Sequence, residues 1–257
     1  MKKNYLKKEL QDGKIVFGPF MKFTDPAAVE AMGFAGFNFV IIDEEHGPIS
    51  LENAQNMVRA AESVNITPVI RVGNNEEALI LRALDIGAQG IEIPQINSKS
   101  DAVKAVKSVK YSPQGERGVC RYVRAANYSS MDKFEYFKSA NKETMIIAHI
   151  EGVEGINNLD EILSVPDIDV IFIGPYDLSQ SLGVPGEVNH PLVKEKMKEV
   201  VLKCKENKVA VGTFADNVET AKSWVSLGVQ YMSFSVDVGI LYEASKKIVN
   251  DLRKIKN

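Results

Sequence analysis

The chain has 257 residues, 45% of them hydrophobic, with 31 Lys+Arg against 34 Asp+Glu and a formal net charge of −3. That composition excludes disordered and fibrous classes, and the near balance of charge argues against a nucleic-acid partner, which calls for a basic surplus or stripe. No apolar run approaches the roughly 18 residues of a membrane span.

The lysine-bearing start, MKKNYLKKEL, is not followed by the apolar core of a secretory signal. Apolar, β-branched runs follow at 15–21, 38–43, 68–72, 90–94, 145–150, 170–174, 209–213 and 230–234. They are continuous rather than alternating, the pattern of parallel strands buried on both faces. Helical patterns lie between them. Ser50 is placed to cap a stripe of Leu51, Ala54, Met57, Val58 and Ala61. Pro191 opens a helix with Val193, Met197, Val200, Val201 and Cys204 on one face, and Ala221, Trp224 and Val225 mark another. Residues 237–254 form a last helix, with Leu241, Ala244, Ile248 and Leu252 aligned. Gly33, Gly87 and Gly228 stand between helix and strand, where left-handed C-caps are expected.

Eight such units predict an α/β fold, one (β/α)8 TIM barrel domain spanning residues 1–257. The alternative, an open doubly wound sheet, calls for a Gly-rich phosphate loop after the first strand, and Gly18-Pro19-Phe20 is not one. An insertion at 111–142, rich in Arg, Tyr, Ser and Asn, is expected to be a functional loop or a subunit contact. Cys120 and Cys204 make no disulfide framework, which points to the reducing cytoplasm.

Active sites of such barrels lie at the C-terminal strand ends. There the chain places Asp43-Glu44-Glu45-His46, Arg71, Glu92, His149-Ile150-Glu151 and Gly174-Pro175-Tyr176-Asp177. Glu151 and Asp177, on neighbouring strand ends, suit a hard divalent cation held by carboxylates and substrate oxygens; capping helices or bridging to lysines is the alternative. His149 shares strand parity with Glu151 and so faces the same side. His46, beside Asp43, is a candidate general base, against a plain surface-loop histidine. Arg71, ending an apolar strand, either pairs with an internal carboxylate or faces an anionic ligand. His190 reads as a helix cap, and Cys120 lacks a histidine partner for nucleophilic work.

The chain resembles the HpcH/HpaI aldolase family, the class II pyruvate aldolases. The resemblance rests on Asp43-x-Glu45-His46, Arg71-Val72, Leu84-Asp85-Ile86-Gly87-Ala88, Pro113-x-Gly115-x-Arg117-Gly118, Ile150-Glu151 and Phe172-Ile173-Gly174-Pro175-Tyr176-Asp177-Leu178-Ser179, in family order across roughly residues 15–235. It implies Glu151 and Asp177 as ligands of magnesium, manganese or cobalt, and His46 as the general base with Asp85, or Asp43, raising its basicity. Arg71 would stabilise charge developing on the substrate oxygen, and backbone groups of the Gly174-Pro175-Tyr176-Asp177 turn would hold a pyruvate carboxylate. It further implies a homohexamer in which the last helix is exchanged with a neighbouring subunit.

Three positions depart from well-known members. His149 stands where Gln is usual, so it either replaces that residue's hydrogen bond to substrate or becomes a third metal ligand. Tyr176 and Phe214 are larger than the residues often found there, which favours a small aldehyde. The reading is reversible cleavage of a 4-hydroxy-2-oxo acid to pyruvate and an aldehyde. An oxaloacetate-type decarboxylase or a 2-oxo-acid tautomerase at the same site, and a non-catalytic 2-oxo-acid-binding barrel, are the alternatives.

Overall fold

The computed structural model describes residues 2–255. Eight parallel strands, β1 (Val16–Met21), β2 (Phe39–Asp43), β3 (Thr67–Arg71), β4 (Gly90–Ile93), β5 (Met145–Ile150), β6 (Val170–Ile173), β7 (Ala210–Ala215) and β8 (Tyr231–Val236), pair in sequence order. β8 closes on β1, which makes the sheet a (β/α)8 barrel. Every strand lies within two residues of its expected span. The surrounding helices are α2 (Pro26–Phe34), α3 (Leu51–Ser63), α4 (Glu77–Asp85), α5 (Lys99–Val109), α7 (Val153–Asn157), α8 (Leu159–Leu163), α9 (Pro175–Ser181), α10 (Pro191–Glu206) and α11 (Val218–Leu227). Ser50 caps α3 through the Asn53 N–H, and His190 caps α10 by accepting the Leu192 N–H at 3.3 Å.

Strand alternation divides the apolar residues into two cores. Outward residues such as Val40, Ile42, Ile70 and Ile91 pack under the helices. Inward residues, among them Phe20, Phe39, Ile41, Ile147, Phe172 and Tyr231, fill the barrel. Two strand glycines make that filling feasible. A Cβ on Gly18 would lie 2.3 Å from the Phe39 carbonyl oxygen, and one on Gly212 would meet Tyr231 and Phe172 at 2.8 and 2.9 Å. Without them, Phe39 could not stack on Tyr231 with ring centroids 4.3 Å apart.

The N-terminal end is closed by a helix that the hydrophobic pattern does not announce, α1 (Tyr5–Gln11). Its Leu6 and Leu10, four residues apart on one face, join Val16, Met145, Val170 and Ala210, the first residues of four strands. Asn4 caps the helix and donates to the carbonyls of Gln89 and Glu143 at 2.9 Å.

The left-handed expectation holds at Gly87 and Gly228 but not at Gly33. Gly33 lies inside α2, where a Cβ would fall 2.3 Å from Val64, and Gly36 takes the positive φ. Close contact of α2 with α3 explains the residue there, rather than a cap.

The 111–142 insertion folds into a 3-10 turn (Arg124–Ser129) and α6 (Lys133–Glu143), with a small core of Tyr111, Ala126, Tyr136 and Ala140. Arg117 donates to Asp85 at 2.7 Å and Arg124 to Glu62 at 2.6 Å. Those acids end α4 and α3, helices that run back to the starts of β4 and β3. The insertion therefore sits at the N-terminal end of the barrel, opposite the catalytic face. The last helix, α12 (Asp237–Leu252), meets β1 and β8 chiefly, and Asp237 is its one buried residue. Leu241, Tyr242, Ile248, Val249 and Leu252 are exposed.

Candidate active site

Register across neighbouring strands builds the mouth: Asp43 of β2 stands opposite Arg71 of β3, and Arg71 opposite Glu92 of β4. The guanidinium binds Asp43 through two hydrogen bonds of 2.9 and 2.8 Å and pairs with Glu45 at 3.0 Å. It also lies over the Phe20 ring, 4.5 Å from the centroid. Burial alone would raise the Asp43 carboxyl, but Arg71, helped by Lys22, holds it below the usual carboxylate range. Of the two readings its position allowed, the internal pairing is present, and the side chain also lines the mouth.

β5 contributes His149 and, just beyond the strand, Glu151. His149 is 3% exposed, its Nδ1 3.5 Å from Glu92 and its Nε2 4.0 Å from Glu151. Burial, reinforced by the Arg71 charge, depresses the imidazole to about 3, so it is neutral. Burial raises Glu151 to about 7, and the charges of Glu45 and Asp177 add to the effect. A Cβ on Gly174 would lie 3.0 Å from His149 Nε2 and 3.2 Å from Asp177 Oδ2, so glycine keeps open the space between those two groups.

A cavity of about 190 Å³ opens here, lined by Lys22, Arg71, His149, Tyr176, Asp177 and Phe214 among others. Tyr176 Oη donates to Asp216 at 2.6 Å, and that bond, with burial, raises the phenol to about 12. The Tyr176 and Phe214 rings lie 6.2 Å apart. A larger cavity of about 600 Å³ occupies the other end of the barrel, between Leu10, Lys7, Lys205 and Lys208, away from these acids.

His46 sits in the loop after β2 with its side chain 66% exposed. Neither carboxylate expected to support it touches its ring within this chain. Asp43 accepts the backbone N–H groups of Glu45 and His46 at 3.2 Å, shaping the loop. Asp85 lies at the far end of the barrel on Arg117. The acid nearest the imidazole is Glu45, at 3.9 Å. Lys22, which the sequence reading passed over, donates to the His46 carbonyl at 2.9 Å and stands 3.4 Å from Asp43. It directly follows β1, so the strand-end rule that selected the other residues would have found it.

Residues 17–244 match the family described as HpcH/HpaI aldolase/citrate lyase. The 5-keto-4-deoxy-D-glucarate aldolase of Citrobacter koseri is 31% identical over 251 residues, 98% of this chain and 97% of its own length. The hydroxypyruvate/pyruvate aldolase of Paraburkholderia phytofirmans is 32% identical over 256 residues, 97% of this chain and 98% of its own. The crystal structure of a family protein from Burkholderia cenocepacia superposes with a TM-score of 0.92 at 32% identity, over 98% of this chain and 100% of that one. The chain belongs to the HpcH/HpaI aldolase/citrate lyase family.

For a member of the HpcH/HpaI family the donor set at this mouth is open. Among the described residues, no three His, Cys, Asp or Glu side chains form a ready-made cage. The charges of Glu45 and Asp177 nonetheless raise the cost of ionising Glu151, and a divalent cation beside these acids would relieve it. Two carboxylates with the remaining positions left to substrate oxygens and water is a normal arrangement for a hard cation.

Proposed function

We propose that this family member is a divalent-metal-dependent pyruvate aldolase that reversibly cleaves a 4-hydroxy-2-oxo acid to pyruvate and an aldehyde. The observation that carries the reading is that Glu151 lies within the influence of the Asp177 and Arg71 charges, at a mouth where Asp177 and Arg71 line a small cavity. Glu151 and Asp177 would hold magnesium, manganese or cobalt. Such a cation supplies Lewis-acid polarisation of the 2-oxo group.

The chain's own residues supply the rest. The first turn of α9 offers the backbone N–H groups of Tyr176 and Asp177, which have no partner within a helix at its start, to the substrate carboxylate. Arg71, held flat by Asp43 and Phe20, offsets charge growing on the keto oxygen without having to reorganise. His46 takes the 4-hydroxyl proton, and its exposed ring lets it work through water. Tyr176, fixed by Asp216, and Phe214 narrow the side where the aldehyde leaves and favour a small one.

The exposed apolar side of α12 supports the exchange of this helix with a neighbouring subunit in a homohexamer. The expected contribution of Asp85 to His46 then requires another copy, because within one chain the two lie at opposite barrel ends. No described helix is long and apolar enough to cross a membrane. The two free cysteines fit a cytoplasmic home.

Substrate profiling tests the reaction. Turnover of 4-hydroxy-2-oxo acids, coupled to pyruvate detection, is expected with added divalent metal. Decarboxylation of oxaloacetate as the sole activity, or pyruvate binding without turnover, would reject it.

A further inference from the structure

Lys22 is the cation at this mouth to which the mechanism gives no task. It directly follows β1 and lines the cavity, with its side chain partly exposed. Its backbone is fixed from the other end of the chain. Asp237, the buried first residue of α12, accepts the Lys22 N–H at 2.9 and 3.0 Å and the Phe23 N–H at 2.9 Å. From that anchored start the Lys22 side chain crosses to the loop after β2. Its Nζ donates to the His46 carbonyl at 2.9 Å and lies 3.4 Å from Asp43 Oδ2. The opposite side of His46 is held too, since its N–H donates to Asp43 at 3.2 Å. A Cβ on Gly47 would lie 2.3 Å from the Asp43 carbonyl oxygen, so the loop turns tightly over that residue.

We propose that Lys22 is a positioning residue for the reaction, which holds the His46 loop by its carbonyl and so aims the imidazole at the mouth. The inference rests on the reading of His46 as the general base. The imidazole is exposed, and the nearest acid, Glu45, is 3.9 Å away, so the direction of the ring depends on how its own peptide groups are held. Asp43 holds the first of these and Lys22 the second. Both contacts have a fixed sense, because an ammonium only donates and a carbonyl oxygen only accepts. The contact between Lys22 and Asp43 ties the two supports together. A base misplaced by about 1 Å loses much of its effect, which gives a residue that touches only the loop a measurable part in the rate.

The test joins amide hydrogen exchange of the metal-free full-length protein to kinetics with added divalent metal. In Lys22→Met the amides of Glu45 and His46 should exchange roughly 10-fold faster than in the wild type, with the strand amides unchanged. In turnover of a 4-hydroxy-2-oxo acid, Lys22→Met should lower kcat roughly 10- to 100-fold and leave KM as it was, the mark of a misplaced base rather than a lost substrate contact. Lys22→Arg, which can still donate to the carbonyl, should recover most of the rate. In a His46→Ala background Lys22→Met should cost nothing further, because a residue that acts through His46 has no effect once that ring is gone. Unchanged exchange in the loop, a KM that rises while kcat holds, or a further loss in the His46→Ala background overturns the proposal. Faster exchange throughout the strands, which would make Lys22 a support of the whole barrel, overturns it too. A wild type that turns over no 4-hydroxy-2-oxo acid defeats the aldolase reading and the role of His46 with it. A wild type that turns over beside an equally fast Lys22→Met defeats this proposal alone.

Discussion

Glu151 connects the electrostatics of the mouth to the chemistry. Burial and the nearby charges of Glu45 and Asp177 raise its carboxyl to about 7 in the metal-free chain. A cation held there as proposed would have to displace that proton, so protons and metal would compete at the same oxygen atoms. As the pH falls below about 7, the protonated fraction of the metal-free protein grows and the apparent metal affinity should fall, by up to about tenfold per unit. Calorimetric titration with magnesium or manganese between pH 5.5 and 8 measures this, and an affinity flat across that range would show that Glu151 is not a ligand. Several of the residues gathered at the mouth were legible one at a time, because each ionisable group at the end of an apolar strand stands out. Their partners were less so. That Arg71 is shared by Asp43 and Glu45, or that His149 backs onto Glu92, depends on register between strands, which spacing along the chain does not reveal. Asp85 shows the same limit in reverse, since its motif fits while its helix carries it to the far end of the barrel.

At the scale of elements, the strands could be found because burial on both faces makes each a continuous apolar run. The helix α1 could not. Seven residues rich in lysine offer only Leu6 and Leu10 as a pattern, too short a window for periodicity to speak. Its place is determined by the open barrel end, a long-range demand absent from the local sequence. Leu6 is 1% exposed there, so Leu6→Ala should cost about 2–5 kcal/mol through the cavity it leaves. Urea unfolding reads that cost, and a loss well under 1 kcal/mol would show that the plug is dispensable. The insertion was visible as a break in the alternation. Its position was not, because only the pairing of Arg117 and Arg124 with the ends of α4 and α3 shows at which end it packs.

For the whole molecule, α12 is the element that a single chain does not explain. Its apolar residues Leu241, Ile248 and Leu252 are aligned as the sequence predicts, yet they face solvent in the protomer. An amphipathic helix in that condition calls for a covering partner. If α12 is covered by another copy as proposed, replacing Leu241 and Ile248 together by Asp should yield smaller species than the wild type without unfolding the barrel, because neither residue belongs to its core. Light scattering and circular dichroism distinguish the outcomes. A wild-type protein that is already monomeric at micromolar concentration would remove the need for a partner.

The central claim is that Glu151 and Asp177 hold a cation that His46 and Arg71 work beside. The most direct measurement is retro-aldol turnover of a 4-hydroxy-2-oxo acid, followed by pyruvate release, before and after exhaustive chelation and in His46→Ala. The account predicts that turnover disappears on chelation and returns with added divalent metal. It also predicts that His46→Ala, at an exposed position, keeps its stability but loses about 10²–10⁴-fold in rate. Turnover that survives complete metal removal, or a His46→Ala enzyme as fast as wild type, would contradict it.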